Sequence, residues 1–538
     1  MFTLISRADS LSIIIITTGI LIPILASCLR FVPLPKSTAG RLNAYLNYPP
    51  VAGSRHSVPL FNFMIMPTTG QSIFLFYLIA INVILCSTGY ESRQPNSWYA
   101  STTQEIRSFI GNRTGALSLV NLALSVLYAG RNNVLISLTD WSHTTFLLLH
   151  RWVASIATLQ ACIHSAIYLY NYLESGEHAT EAKLDYWIWG VVATLGMTIL
   201  LPTSILPLRQ KFYELFLVWH VVVAFFAIIG CYLHIVLRFS KQWGYETWML
   251  IALAFWGFDR MFRILRLARN GVCKAQVTII DDDYIRLDIQ GITGEGHAYL
   301  YFPTLTWRVW ENHPFSIAGG MLHSSEPAND ANDKETPVAS SASSSHASPT
   351  TDIEKAPAIY VKPMNRHTSK AGGSKLGLSF VIRTHAGTTS LLRLRKSLPV
   401  LVESSYKGSL LHSSNSVLNQ HPRLLCIAGG VGVTALIPLL ASHHGDRKLT
   451  WSVRHESLFS GVRDLMESNA MAGVDVVMTV GQRMDIRSLI EAEAAHEGGS
   501  LAVVVSGPPG MADEARMAVT AVATRGVEIT FVEESYSW

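Results

Sequence analysis

Apolar residues gather into long runs over the first half of this chain and into short alternating runs over the second. Seven stretches, near 11–29, 71–90, 115–138, 144–171, 186–206, 212–237 and 246–265, are each about the 20 residues a helix needs to cross a bilayer. The first has one Arg before it and small residues near its end, as a cleaved signal peptide has. A retained span is the preferred reading, because Arg30 follows directly and no small-x-small site precedes it. After residue 271 the pattern becomes that of strands. Residues 275–280 and 284–289 flank three aspartates like a hairpin, and 299–302 and 378–382 continue the series. Between them, 321–377 is rich in Ser, Ala, Pro and charge and predicts a disordered surface insertion. Strands at 424–428, 449–453 and 501–505 alternate with helices at 435–441 and from about 512, which predicts a parallel sheet. Three units follow. Residues 1–270 are a transmembrane region with a helical core within about 71–265, 271–420 an antiparallel β unit, and 421–538 an α/β unit.

At 538 residues the chain supports two to four domains. Its 49% hydrophobic and 15% charged content agrees with several spans, and a net charge of +4 without a basic face argues against nucleic acid. No pair of its six cysteines has zinc-like spacing, so no disulfide framework or Cys-based metal site is expected. Basic loops give the orientation. Arg30, Lys36, Arg41 and Arg55 precede the second span, Arg209 and Lys211 lie between the fifth and sixth, and Arg260, Arg263, Arg266 and Arg269 end the seventh. Seven alternating spans put these on one side, the cytosolic one, with the C-terminal half. The opposite loop, 173–185, sets Glu174, Glu177, Glu181 and Asp185 against Lys183. The sequon Asn112-Arg113-Thr114 falls on that outer side as a glycosylation candidate.

The chemistry of the first half lies in four histidines. His150 and His164 share the fourth span, His220 and His234 the sixth, and both pairs are 14 residues apart. Fourteen residues rise about 21 Å in four turns less about 40°, so each pair shares a face near opposite leaflets. The two spans run in the same direction, which sets His150 opposite His220 and His164 opposite His234. Ionisable residues in a bilayer are costly and so are functional candidates, and two layers of paired imidazoles suit two six-coordinate haems. A lone histidine in a span more often packs against a neighbouring helix; identical spacing on two parallel spans favours ligation. His143, at a span's edge, reads as structural, and His178 lies in an outer loop.

In the second half, His313, Pro314, Phe315 and Ser316 form either a flavin platform or a plain strand start. Arg383 with Gly387 and Thr388 suits flavin phosphates, or forms a solvated loop. Gly429, Gly430, Val431, Gly432, Val433 and Thr434 follow an apolar strand and open a helix, where backbone amides can approach a phosphate. Arg454, after the next strand, suits a ribose or a 2′-phosphate. Ser506, Gly507 and Pro508 repeat the strand-to-helix turn, and the terminal Trp538 either covers a flavin ring or dangles.

Together, the paired histidines, Ala129-Gly130-Arg131-Asn132-Asn133, His313-Pro314-Phe315-Ser316 and the ending Phe531-Val532-Glu533-Glu534-Ser535 resemble the fungal ferric reductase family, within the ferric reductase/NADPH oxidase superfamily. The resemblance covers the chain from about residue 70. It implies a multi-domain fold: an α-helical transmembrane haem domain, an antiparallel β-barrel FAD domain, and an α/β NADP-binding domain, the last two ferredoxin-NADP reductase-like. The four histidines would ligate two b-type haems, and His313 to Ser316 would bind FAD. Gly429 to Thr434, with Arg454, Ser506, Gly507 and Pro508, would bind NADPH, with Ser506 and Trp538 catalytic and Trp538 over the isoalloxazine. The implied reaction passes electrons from cytosolic NADPH to an external ferric or cupric chelate, most naturally at the plasma membrane, and serves iron or copper uptake. The alternatives are a superoxide-generating NADPH oxidase and a haem membrane protein with an impaired reductase half. Besides chelates, the partners implied are membrane lipid, a second copy of the chain or iron-uptake proteins, and no nucleic acid. Two positions depart from the family: Glu403-Ser404-Ser405-Tyr406-Lys407-Gly408 replaces its Glu-Gly-Pro-Tyr-Gly turn, and Ser506 stands where it commonly has Cys.

Overall fold

Local signals start and stop the long helices. Thr68 and Gln71 form a reciprocal capping box at the Thr69–Ser87 helix. Ser142 caps the His143–Ser175 helix, and Gly176 ends it in the left-handed conformation (φ 75°). The structure, a computed structural model, describes residues 2–33, 35–61, 65–322, 359–361, 375–384, 387–406, 417–468, 471–496 and 499–534.

All seven apolar stretches fall on helices. Five of these helices are long and apolar enough to cross a membrane: Ser10–Phe31, Thr69–Ser87, His143–Ser175, Asp185–Thr203 and Tyr213–Phe239. The chain is a multi-pass membrane protein. The other two helices, Thr102–Ala129 and Glu246–Asn270, are long enough but carry more charge. The stretch at 115–138 is not one span. Its helix begins at Thr102 and stops at Ala129, because the Asn132 N–H is drawn to Asp259 (2.9 Å) and Asn133 caps a separate helix, Val134–Thr139. Asn112 of the sequon lies within the Thr102–Ala129 helix, where its side chain accepts from the Tyr168 hydroxyl at 2.5 Å. Arg113 is buried, with its guanidinium 4.0 Å from the Tyr90 ring centroid.

The bundle turns Phe76, Leu159, Leu195, Leu215 and Phe226 outward, as lipid contact requires. Inside, the carboxamides of Asn82, Asn121 and Gln160 bond one another at 2.7–3.0 Å. Apolar packing alone gives helices little reason to associate in lipid, so such polar ties help to hold them together.

The strands are β1 Val272–Ile279, β2 Tyr284–Gln290, β3 His297–Tyr301, β4 Asn312–Ser316, β5 Gly319–Leu322, β6 Ile359–Val361, β7 Lys375–Arg383, β8 Ser397–Tyr406, β9 Arg423–Gly429, β10 Asp446–Val453, β11 Val474–Val480, β12 Leu501–Ser506 and β13 Ile529–Glu533. An antiparallel sheet has the order β4-β3-β8-β1-β2-β7-β5. Alternate residues Ile285, Leu287, Ile289, Leu378, Phe380, Val400 and Val402 form its core. The sheet curls so that β4 returns close to β7, but the described ladders leave it open, so the expected barrel is not closed. Proline at 314 fits this outcome, since β4 is an edge strand and Pro cannot donate to a ladder.

The second sheet has the order β13-β12-β9-β10-β11-β6, parallel except for β6. β9 and β12 are buried almost throughout, as strands covered on both faces are. β6 is a further correction. Ile359, Tyr360 and Val361 lie within the segment expected to be structureless, yet pair with β11, because an apolar, β-rich triplet can cap an edge. Residues 323–358 and 362–374 of that segment lie outside the described residues.

Candidate functional site

The helices that carry the histidines run side by side in two levels. His150 and His220 have ring centroids 6.1 Å apart, and so have His164 and His234. Two metal–nitrogen bonds of about 2 Å each, plus half of each ring, span about that distance. All four rings are half-buried, and each has its Nδ1 engaged: His150 with Ser125 O (2.9 Å), His164 with Gly111 O (2.8 Å), His234 with Tyr186 O (2.8 Å) and His220 with Ser204 Oγ (3.1 Å). A ring nitrogen facing a carbonyl must donate, so in three of the four the neutral imidazole keeps its lone pair on Nε2, the nitrogen left for a ligand. Among the described residues no group of three or more His, Cys, Asp or Glu could hold a metal ion. Each pair therefore fits a metal that brings its other ligands with it, as haem iron does.

Sequence reasoning missed what makes room for these rings. A Cβ on Gly115 would lie 2.6 Å from His164 Nδ1, and one on Gly190 would lie 2.6 Å from His234 Nδ1. Both glycines sit on neighbouring helices where only hydrogen fits. A small residue inside an apolar span was the available signal, but it does not say which neighbour approaches.

His313 lies on β4 next to the first turn of the Tyr213–Phe239 helix, with Nδ1 4.0 Å from Glu214 and Nε2 buried without a hydrogen-bond partner. From there Tyr213, Phe216 and His220 follow at ring separations of 6.4 and 5.3 Å. Pro314, Phe315 and Ser316 continue β4 in register with Tyr299, Ala298 and His297. Arg383 ends β7 opposite Tyr284, its Nε buried and without a partner. Thr388 is less available, because its hydroxyl donates to Glu311 at 2.8 Å. Gly387 has φ 109°, a conformation side chains resist.

In the parallel sheet the chain leaves β9 toward β10 on one side and returns as β12 on the other, so the strand order reverses between β9 and β12. Ligands of open α/β sheets bind at the carboxyl ends of strands at such a switch. Gly429–Thr434 and Ser506–Pro508 meet there. Gly432 lacks room for a Cβ, which would lie 2.2 Å from Ser506 O, and a Cβ on Gly507 would lie 3.1 Å from Gly429 N. Those glycines are thus required by turn-to-turn packing in its own right. Val431 and Val433 lie in the same turn, and Thr434 is buried, donating to Val431 O at 2.9 Å. Arg454 follows β10 at the same edge, exposed and 3.8 Å from Asp283 of the β1–β2 turn. Because Tyr284 OH also reaches toward Gly430, Arg383, the glycine turn and Arg454 lie near one another where the two sheets approach. Trp538, Lys407 and Gly408 lie outside the described residues.

The motif at 129–133 and the altered turn at 403 turn out to be one structure. Arg131 stacks on Tyr299 (3.6 Å) and lies 3.8 Å from the fully buried Glu403. The Tyr301 hydroxyl donates to Glu403 at 2.6 Å, and the Tyr406 hydroxyl does so too. Arg266 donates to Ser405 O (2.7 Å) and to Asn132 (3.2 Å). The residues that replace the family turn therefore fasten the antiparallel sheet to the membrane helices. Beside them, His297 stacks on Tyr406, and burial followed by nearby positive charge pushes its pKa down to about 3.

Comparison with known proteins agrees with the sequence resemblance. Residues 114–231 match the family described as ferric reductase like transmembrane component. The chain is 25% identical over 518 residues to ferric/cupric reductase transmembrane component 1 of Candida albicans, covering 85% of this chain and 60% of that protein. It is 28% identical over 313 residues to ferric/cupric reductase transmembrane component 2 of Saccharomyces cerevisiae, covering 56% of this chain and 43% of that protein. The chain thus spans less than two thirds of either relative. Among solved structures, a siderophore-interacting protein from Aeromonas hydrophila overlays with a TM-score of 0.27 at 10% identity, over 49% of this chain and 90% of that one. The resemblance to fungal ferric reductases is borne out at the level of the family.

Proposed function

We propose that this relative of the fungal ferric reductases is a transmembrane metalloreductase that carries electrons from cytosolic NADPH, by way of FAD and two b-type haems, to an extracellular ferric or cupric chelate. The observation that carries this reading is the two-level pairing of His150 with His220 and His164 with His234 at the same 6.1 Å. These four residues would hold the haems. His313 to Ser316 and Arg383, with its unpartnered buried nitrogen, would hold FAD, assisted by Gly387 and Thr388. The Gly429–Thr434 and Ser506–Pro508 turns with Arg454 would receive NADPH.

Bound there, the flavin would convert the two electrons of a hydride into single electrons that a haem can accept. The chain's own part is positional. Nδ1–H donation orients the imidazoles, the Arg131–Glu403 joint holds the antiparallel sheet against the helices, and Ser506, packed against Gly432, would lie in the turn that receives the nucleotide. With all seven helices crossing, the basic loops share one side and favour a cytosolic C-terminal half, and the plasma membrane is the natural setting for an outward-facing acceptor. The test is anaerobic NADPH oxidation by the purified full chain with ferric and cupric chelates. Haem reduction by NADPH followed by chelate-dependent reoxidation under argon is expected; strict dependence on oxygen would sink the metal reading.

A further inference from the structure

Residues 43–58 lie between the first two spans and dock on the edge of the parallel sheet. Tyr48 is buried against β13, the terminal strand; its hydroxyl donates to Ile529 O (3.3 Å) and accepts from the Phe531 N–H (3.2 Å). Its ring packs edge-on to Phe531, 5.9 Å between centroids. Buried Asp513, in the Pro509–Thr524 helix, accepts from three successive backbone amides, His56 (2.9 Å), Ser57 (2.7 Å) and Val58 (2.9 Å). Arg516 donates to Asn47 O and Tyr48 O and pairs with Glu533 at 2.6 Å, while Ser57 donates to Glu533 at 2.7 Å.

The same segment is stitched to the membrane side. His56 Nδ1 bonds Met66 O (2.7 Å), Val51 N–H donates to Pro67 O (3.0 Å), and Thr69 N–H donates to Pro49 O (3.1 Å), at the start of the Thr69–Ser87 span. Glu533 ends β13 in register with Val505, one residue before Ser506. The strap therefore lies along β13, the outer edge of the parallel sheet, and reaches the carboxyl end of that edge at Glu533, two strands from the Gly429–Thr434 turn on β9. The antiparallel sheet has its own anchor in Arg131, Glu403 and Arg266.

We propose that residues 43–58 form a docking strap, with Asp513 as its central positioning residue, that fixes the nucleotide crevice relative to the membrane-anchored antiparallel sheet. In this arrangement the strap governs hydride delivery from NADPH to the flavin and leaves the later passage of electrons into the membrane alone. The kinetic part rests on the function proposed above. A carboxylate held by three amides loses one bond and gains a donor–donor clash when Asp513 becomes Asn, because the new amide faces the Val58 N–H.

The experiment uses the full-length protein in lipid nanodiscs, as wild type, Asp513→Asn, Ser57→Ala and Asp513→Glu. Anaerobic stopped flow reads flavin bleaching after NADPH, and flash photoreduction of the flavin reads the following haem step. Hydrogen exchange reads the amides of 44–58 and 529–533. Asp513→Asn should slow NADPH-driven flavin bleaching about tenfold, since misplacement of about 1 Å can cost up to about 10²-fold. The photoreduced haem step should be unchanged and exchange should rise in both segments, with Ser57→Ala intermediate and Asp513→Glu partly restored. Unchanged exchange and unchanged bleaching in Asp513→Asn would overturn the strap, as would equal slowing of both steps. If wild-type flavin is not bleached by NADPH, the proposed function fails; the strap then stands or falls on the exchange result.

Discussion

Adding one methyl group beside the outer histidine pair should empty that level and leave the inner one filled. In Gly190→Ala the new Cβ meets His234 Nδ1 at 2.6 Å, and in Gly115→Ala it meets His164 Nδ1 at 2.6 Å. Ordinary contact begins at 3.4 Å, so the imidazole has to retreat by about 0.8 Å. Metal–ligand distances tolerate only about 0.2 Å, so a ring displaced that far no longer ligates in its old geometry. The fold is under less threat, because overpacking of this kind costs typically about 1–3 kcal/mol, which a helix bundle of this size absorbs. The assay is the ratio of haem to protein by pyridine haemochrome, with a potentiometric titration of the reduced band. Each variant should fall from two haems to one and lose one of two midpoint potentials, with the His150–His220 level unaffected. Gly257→Ala is the control, since nothing lies within 4 Å of its added carbon. If Gly115→Ala and Gly190→Ala both retain two haems at wild-type potentials, the pocket argument is wrong.

Three further outcomes follow from charges outside the spans. Arg131→Ala leaves the fully buried Glu403 without its cation and should cost about 3–5 kcal/mol; adding Glu403→Gln should recover part of that loss in denaturation measurements, and additive losses would deny the coupling. Burial, followed by the neighbouring Glu533, pushes the Glu534 pKa up to about 7. The folded state then holds the extra proton, so stability falls as pH rises from about 4.5 to about 7; Glu534→Gln should raise the melting temperature more at pH 8 than at pH 5. His297, with its pKa down at about 3, is held neutral while the unfolded chain takes up a proton below about 6.5, so stability is lost as pH falls through that window. His297→Gln should flatten the melting profile between pH 4 and 6.5, and an unchanged slope would show that the stacked ring is not the titrating group.

Periodicity and spacing were legible because they are local. Twenty apolar residues imply a span, the strand pattern implied β1, β2, β3 and β7 around one core, and a 14-residue interval on two parallel helices sets four imidazoles in two levels by helix rise alone. The alternating strands and helices after residue 421 likewise announced a parallel sheet, whose order puts two glycine turns at one switch. The tertiary structure decided where segments far apart in sequence come within a bond length of each other. It ended the third stretch at Ala129 because Asp259, 127 residues later, captures the Asn132 amide. It turned the replaced turn at 403 into a joint for Arg131, set Gly115 and Gly190 against rings on other helices, and folded the segment between the first two spans onto Asp513, 457 residues from His56. Apolar pattern reports which face of an element is buried. Which polar group or missing side chain meets which neighbour depends on three-dimensional approach, and a one-dimensional pattern holds no record of it.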